Sequence, residues 1–369
     1  MSLHPIRVMV VDDSAVIRGI WARILDAEPD IRVMASAWNG RTALDVLRRR
    51  EIDVIILDIE MPEMSGLEAL PLLLQERPSV RVIMASSLTR KGAEVTINAL
   101  ALGAADYVTK PSAAERSSMN SVGQDLVRKV RALAGRPEAP PSPTPPSTQE
   151  PGPEHRAAPA TPQRSTPPPL PRRSHSTPPR ALVVASSTGG PNALTTFLSA
   201  LPAGFPLPIL IVQHMPALFT TMLAERLQRA TGRPCVEATD GARVDAGVTY
   251  VAPGDYHMIV SSKGGSEWLH LNQGPPENFC RPAADQLFRT AAPIYGAALT
   301  AVVLTGMGHD GMTGASEIVR HGGLVVAQDQ ATSVVWGMPG AVVNRGLAHQ
   351  VLPLDAIAGF IDEQASVRR

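Results

Sequence analysis

Two sets of side chains have the types and placement to do chemistry. In the first, Asp12 and Asp13 follow the apolar run 6–11, Asp58 closes the run 53–58, Ser86 closes 81–86, and Lys110 closes 105–110 just before Pro111. Three carboxylates brought together repel one another, and a hard divalent cation such as Mg²⁺ relieves that repulsion through oxygen ligands. One of them can then act as a nucleophile towards a phosphoryl donor, with the Lys110 ammonium and Ser86 hydroxyl suited to the phosphoryl oxygens. Each residue alone has a plainer reading. Asp13 or Ser14 could cap a helix, Asp58 could open a polar loop, and Lys110 could be an ordinary loop lysine. Their joint placement at the ends of separate apolar runs favours one shared site.

In the second set, Ser187 lies in ASSTGGP (185–191), His214 in ILIVQHMP (209–216) and Asp310 in LTGMGHDG (304–311). The paired glycines allow a sharp strand-to-helix turn, and the helix start then aims unpaired N–H groups at the site. That suits an exposed nucleophile beside an oxyanion-stabilising dipole. G-x-S-x-G, the chain order Ser–Asp–His and the dinucleotide pattern G-x-G-x-x-G are all absent. The plain readings are a glycine-rich phosphate loop, an incidental histidine and a helix-capping aspartate. Three such residues after three separate buried strands instead predict a Ser–His–Asp arrangement. Ser187 would attack a carbonyl carbon, His214 would take and return the proton, and Asp310 would fix the imidazole tautomer.

The elements that must hold these residues alternate. Strand patterns at 6–11, 31–37, 53–58, 81–86 and 105–110 are separated by amphipathic helices, the last near 119–134. Short apolar strands between amphipathic helices predict a flavodoxin-like (βα)5 unit with a parallel sheet covered on both faces. Ligands bind such sheets at the carboxyl ends of their strands. A second α/β pattern starts at 181–187 and continues through strands at 206–214, 299–306 and 324–328, with shorter β-rich segments between 235 and 260. It predicts a second doubly wound, mostly parallel sheet. Between the two, residues 135–180 hold 16 of the 35 prolines and few large apolar residues. Such a stretch cannot bury a core and predicts an extended tether. The expected organisation is therefore 1–134, a Pro-rich linker at 135–180, and 181–369.

At about 150 residues per domain, 369 residues fit two to three domains. Lys plus Arg and Asp plus Glu are both 34, so the chain is formally neutral and binding to nucleic acid is not expected. Cys235 and Cys280 are too few for a disulfide framework and lack metal-ligand spacing. Acidic residues interrupt the N-terminal apolar run before a signal peptide could form, and no uninterrupted apolar stretch approaches a membrane span. A soluble, cytoplasmic protein without membrane insertion is expected.

Residues 6–111 resemble a response-regulator receiver domain through VVDDS (10–14), LDIEMPEMSG (57–66), Ser86 and DYVTKP (106–111). That resemblance implies Asp58 as phospho-acceptor, Mg²⁺ held by Asp12, Asp13 and Asp58, and Ser86, Tyr107 and Lys110 coupling phosphorylation to the surface of the fourth and fifth strands. Residues 181–356 resemble the catalytic domain of chemotaxis protein-glutamate methylesterases, through ASSTGGP, QHMP, VAPGDYH (251–257), RPAADQLF (281–288) and LTGMGHDG. The whole chain thus resembles the CheB family. The resemblance implies a Ser187–His214–Asp310 triad, oxyanion contacts from Thr188 and the Met307 amide, and no cofactor for hydrolysis. It also implies methyl-accepting chemoreceptors as substrate, a chemotaxis histidine kinase as phosphodonor, and deamidation of receptor glutamines as a companion activity. In that family the unphosphorylated receiver covers the catalytic site.

One departure is His309, where the family loop commonly has asparagine; it adjoins Asp310 and could compete for the carboxylate. Competing readings are a DNA-binding effector, which calls for a basic helix-turn-helix after the linker, a hydrolase of small esters in another sensory pathway, and a non-catalytic binding module.

Overall fold

The computed structural model describes residues 4–110, 116–135 and 177–366. Pro111 and most of the expected linker, 136–176, lie outside the described residues.

The first sheet contains β1 (Ile6–Val11), β2 (Ile31–Ala37), β3 (Val54–Asp58), β4 (Arg81–Ser86) and β5 (Asp106–Thr109). All pairings are parallel, in the order β2-β1-β3-β4-β5. β1 and β3 are almost wholly apolar because helices cover both faces. The helices are α1 (Ala15–Asp26), α2 (Gly40–Arg49), α3 (Gly66–Glu76), α4 (Arg90–Ala101) and α5 (Arg116–Leu133). Ser14 caps α1, so the plain reading of that residue is the observed one. Ser65 and Glu68 form a reciprocal capping box that starts α3 straight after the 57–66 loop.

The second sheet has seven strands, in the order β14-β13-β12-β6-β7-β9-β8, all pairings parallel. They are β6 (Ala181–Ser186), β7 (Ile209–Gln213), β8 (Cys235–Glu237), β9 (Thr249–Val251), β12 (Leu299–Val303), β13 (Leu324–Gln328) and β14 (Gln350–Leu352). Between β9 and β12 lie the antiparallel hairpin β10 (His257–Lys263) and β11 (Ser266–Asn272), then α8 (Ala284–Tyr295). The sequence suggested only the start of this hairpin. Its turn is Gly264–Gly265, both at positive φ, a pairing that matches the twist of the flanking strands. The other helices are α6 (Gly190–Ala200), α7 (Phe219–Thr231), α9 (Met312–Arg320), α10 (Met338–Asn344) and α11 (Leu354–Ser366). β14 was not foreseen; it is a three-residue edge strand with mostly exposed side chains, so no apolar pattern announces it.

The chain leaves β6 to one side for β7 and later returns on the other side at β12. The crevice at the carboxyl ends of β6, β7 and β12 is thus the switch point where open α/β sheets bind ligands.

The two units share apolar cores. One cluster includes Ile97, Leu100 and Tyr107 of the first unit together with Met215, Phe219 and Met222 of the second. Val335 joins the cluster formed by β1, β3, α1 and α5, with Met307 and Val334 packed against it.

Candidate functional site

Ser187 directly follows β6, His214 directly follows β7, and Asp310 lies in the loop between β12 and α9. The turn after β6 is held from three sides. Ser187 N–H donates to Thr305 O at 3.0 Å, Gln213 Nε2 donates to Ser187 O at 3.0 Å, and Ser186 Oγ donates to Gln213 Oε1 at 2.7 Å. The glycines are sterically required. Gly189 has φ +78°, and a Cβ on Gly190 would lie 2.0 Å from Gln213 Oε1.

His214 Nε2 donates to Asp310 Oδ2 at 2.7 Å. The Asp310 carboxylate is buried and saturated. Its Oδ2 also accepts from Ala284 N–H at 2.6 Å, and its Oδ1 accepts from Asp285 N–H at 3.1 Å and Asn278 Nδ2 at 3.0 Å. The start of α8 therefore supplies dipole and donors to Asp310. Burial works against the Asp310 charge, but His214 and these donors outweigh it and hold the carboxyl below its usual range. His309 is exposed, and the Asp310 oxygens are already taken by other donors.

The other imidazole nitrogen, Nδ1, faces Cys280 Sγ at 3.5 Å. Among the described residues no hydrogen bond joins Ser187 Oγ to His214. Nor do the backbone N–H groups of Thr188 and Met307 donate to any described residue, so both can serve an oxyanion. The Thr188 side chain is otherwise committed: its hydroxyl donates to Asp106 Oδ2 of β5 at 2.5 Å.

Sequence reasoning missed Asn278, Asp285 and Cys280. Asn278 Nδ2 bridges Asp310 and Asp285 Oδ2, while Asp285 Oδ1 accepts from Gly314 N–H at 2.6 Å. Burial, then the charge of Asp310, push the Asp285 carboxyl up to about 6. The signals for Asp285 were its place in RPAADQLF (281–288) and an acid in the first turn of α8. Asn278 and Cys280 lie in a loop without periodicity, which buried His257 anchors by contacts with Pro275 O and Ala283 N–H.

The strand ends of the first sheet bring together Asp12, Asp13 and Asp58, with ligand oxygens all within 4.8 Å of one another. Lys110 Nζ lies 2.9 Å from Asp12 Oδ2 and 2.7 Å from Asp58 Oδ1. Asp12 Oδ2 is buried and has no hydrogen-bond partner beyond that ion pair. Burial lifts the Asp58 carboxyl to about 6 against the pull of Lys110, and the charge of Asp12 adds to the rise. Ser86 turns away from this group, towards α4. It accepts from Thr96 Oγ1 at 2.6 Å and donates to Gly92 O at 3.2 Å.

The fifth strand of this sheet is pressed against the second unit. The Tyr107 ring stacks on Phe219 with centroids 4.8 Å apart, and Asn192 Nδ2 donates to Leu100 O at 2.5 Å. Behind the strand, half-buried Lys129 donates to Tyr107 O at 2.6 Å and pairs with Asp125 and Asp106 at 3.1 and 3.5 Å. Arg128 of α5 lies 5.9 Å from the ring centroid of Phe279, beside Cys280.

With this geometry established, similar proteins can be placed beside it. A family model described as CheB methylesterase matches residues 182–361, and one described as response regulator receiver domain matches 8–118. The chain is 49% identical to protein-glutamate methylesterase/protein-glutamine glutaminase 1 of Paramagnetospirillum magneticum, over 98% of this chain and 97% of that one. It is 50% identical to protein-glutamate methylesterase/protein-glutamine glutaminase 2 of Caulobacter vibrioides, over 97% and 99%. The solved catalytic domain of Thermotoga maritima CheB methylesterase is 42% identical, covering 50% of this chain and 98% of its own, with a TM-score of 0.49.

Proposed function

The chain belongs to the CheB methylesterase family, with a response regulator receiver domain ahead of the catalytic part, and we propose that it is a phosphorylation-controlled serine hydrolase that demethylates chemoreceptor glutamates. Deamidation of receptor glutamines is the companion activity, since the same nucleophile can attack an amide. The observation that carries the reading is the 2.7 Å contact of His214 Nε2 with buried Asp310, one strand end away from Ser187 at the switch point.

The division of labour follows. Residues 1–134 are the receiver, 135–180 the tether and 181–369 the methylesterase. Asp310 holds the Nε2–H tautomer, which leaves the Nδ1 lone pair of His214 as the base. Ser187 Oγ bonds to the ester carbonyl carbon as its proton passes to Nδ1. Backbone N–H groups of Thr188 and Met307 receive the oxyanion. The C–O bond to the methoxy group then breaks, and methanol leaves with the proton from His214. Water repeats the sequence on the acyl-enzyme, regenerating Ser187 and releasing the glutamate carboxylate.

The receiver site fits Mg²⁺: its donors are all carboxylate oxygens, and one of them is buried without a hydrogen bond. Asp12, Asp13 and Asp58 would hold the ion, which supplies positive charge for phosphoryl transfer to Asp58. Lys110 would follow the phosphoryl oxygens, and Ser86 and Tyr107 would pass the change along β4 and β5. The substrate is the methyl-accepting chemoreceptor and the phosphodonor a chemotaxis histidine kinase. Both roles place the chain in the cytoplasm; no helix among the described residues is long and apolar enough to cross a membrane.

The test is release of labelled methanol from methylated receptor membranes, with and without a phosphodonor. Wild type should release it faster with the phosphodonor, and Ser187→Ala should release almost none. Full activity in Ser187→Ala would overturn the reading.

A further inference from the structure

The imidazole of His214 has two nitrogens, and both have a partner. Asp310 takes Nε2 at 2.7 Å, and Cys280 Sγ takes Nδ1 at 3.5 Å, within reach for a sulfur hydrogen bond. Nδ1 is the nitrogen that must receive the Ser187 proton. We propose that Cys280 is a positioning residue that shares the general base, competing with Ser187 for His214 Nδ1 and thereby setting the pH range in which the base is available. The inference rests on the Ser187–His214–Asp310 reading above.

Several observations support it. Cys280 is partly exposed, whereas the only other cysteine, Cys235, is buried in the sheet edge. The Cys280 loop is not free to drift. Arg281 pairs with Asp255, Asn278 is tied to Asp310 and Asp285, and Ala283 N–H is held by His257. A thiol held there at this distance is part of the built site. It reproduces, with sulfur, the nucleophile–base–carboxylate order expected of Ser187.

The charges around the pair act in a known direction. Asp310 and Asp285 face it from the α9 and α8 sides, Glu277 is neutralised by Arg289, Arg281 by Asp255, and Arg128 of the receiver sits over Phe279. Burial opposes a charge on His214, but Cys280 and then Asp310 outweigh it and raise the imidazole to about 10. A base held protonated cannot accept the serine proton. Removing the sulfur should therefore move the acid limb of the activity profile to lower pH.

Two measurements on the full chain test this. The first is alkylation by iodoacetamide, located by mass spectrometry. On the proposed sharing, the thiol proton passes to His214 Nδ1 before the attack; the sulfur–carbon bond then forms and iodide leaves with the electron pair of the carbon–iodine bond. Cys280 should react at least fivefold faster in wild type than in His214→Ala, and at least as fast in Ser187→Ala as in wild type. Cys235, whose thiol burial pushes up to about 12, serves as the unreactive control. The second is the pH profile of kcat/KM for methanol release. Cys280→Ala should shift the acid limb down by at least one pH unit, with Cys280→Ser between it and wild type. An alkylation rate indifferent to His214, or superimposable acid limbs, would overturn the proposal. Failure of the serine reading shows separately, as retained activity in Ser187→Ala, because the alkylation assay needs no turnover.

Discussion

The receiver and the methylesterase place their reactive groups at the same structural address, the carboxyl ends of a parallel sheet, yet close them differently. In the receiver, Asp12, Asp58 and Lys110 satisfy one another directly, with ion pairs of 2.9 and 2.7 Å. In the methylesterase His214 and Asp310 are paired, but Ser187, the proposed nucleophile, is not hydrogen-bonded to them, and Thr188 reaches outward to Asp106. One site is closed on itself; in the other, the residue after Ser187 is bonded to the neighbouring unit. On the proposed reading, the receiver can act on Ser187 without plugging the site. Holding Thr188 at β5 and stacking Tyr107 on Phe219 ties the nucleophile's turn to the surface that phosphorylation is expected to move.

The comparison breaks most completely at the carboxylate that orients the base. Asp310→Asn presents an amide to Nε2 and loses the preference for the productive tautomer. A fall in kcat/KM on the order of 10³–10⁴-fold is expected, measured as methanol release, with no recovery on adding phosphodonor. Asp58→Asn strikes the other site. There the stimulation by phosphodonor should disappear, read as the ratio of rates with and without it. A stimulated rate in Asp58→Asn would separate the two sites and undo the comparison.

The contact between them is the next test. Asp106→Asn keeps the side-chain oxygen that accepts from Tyr107 N–H but weakens the charged bond from Thr188. Hydrogen bonds to charged groups contribute about 1.5–3 kcal/mol, so a rise in basal methanol release of about tenfold is expected, with a smaller phosphodonor response. A basal rate equal to wild type would show that docking is carried by the apolar contacts alone.

Both sites were legible in the sequence to the extent that apolar runs announce strands. A polar residue at the end of a buried run lands at the ligand-binding edge whatever the details, which is why Asp12, Asp58, Ser187 and His214 could be named. What the sequence hid depends on long-range packing. Asn278 and Cys280 reach the site through a loop with neither period, and two of its residues, Asn278 and Phe279, adopt positive φ without being glycine, while Asp285 follows in the first turn of α8. The Thr188–Asp106 bond joins residues 82 positions apart across two units, and no spacing rule connects them. The tilt of the Ser86 hydroxyl towards Thr96 is likewise a matter of packing between β4 and α4.

The smallest expected effect comes from residues 135–180, proposed above as a tether, and it sharpens the comparison because it touches neither site. Bringing two tethered bodies together carries an entropic penalty that grows as the logarithm of tether length. Replacing the 46 residues of 135–180 by about ten should favour docking by about 1.4 kcal/mol, less whatever stiffness the prolines already supply. If Thr188 is held back by docking, the shortened chain should show a basal rate reduced by up to about tenfold, while the separate segment 181–369 is indifferent to the change. An unchanged basal rate in the shortened chain would mean that the docked state is already saturated, and that the openness of the catalytic site is a property of its own loops rather than of the receiver beside it.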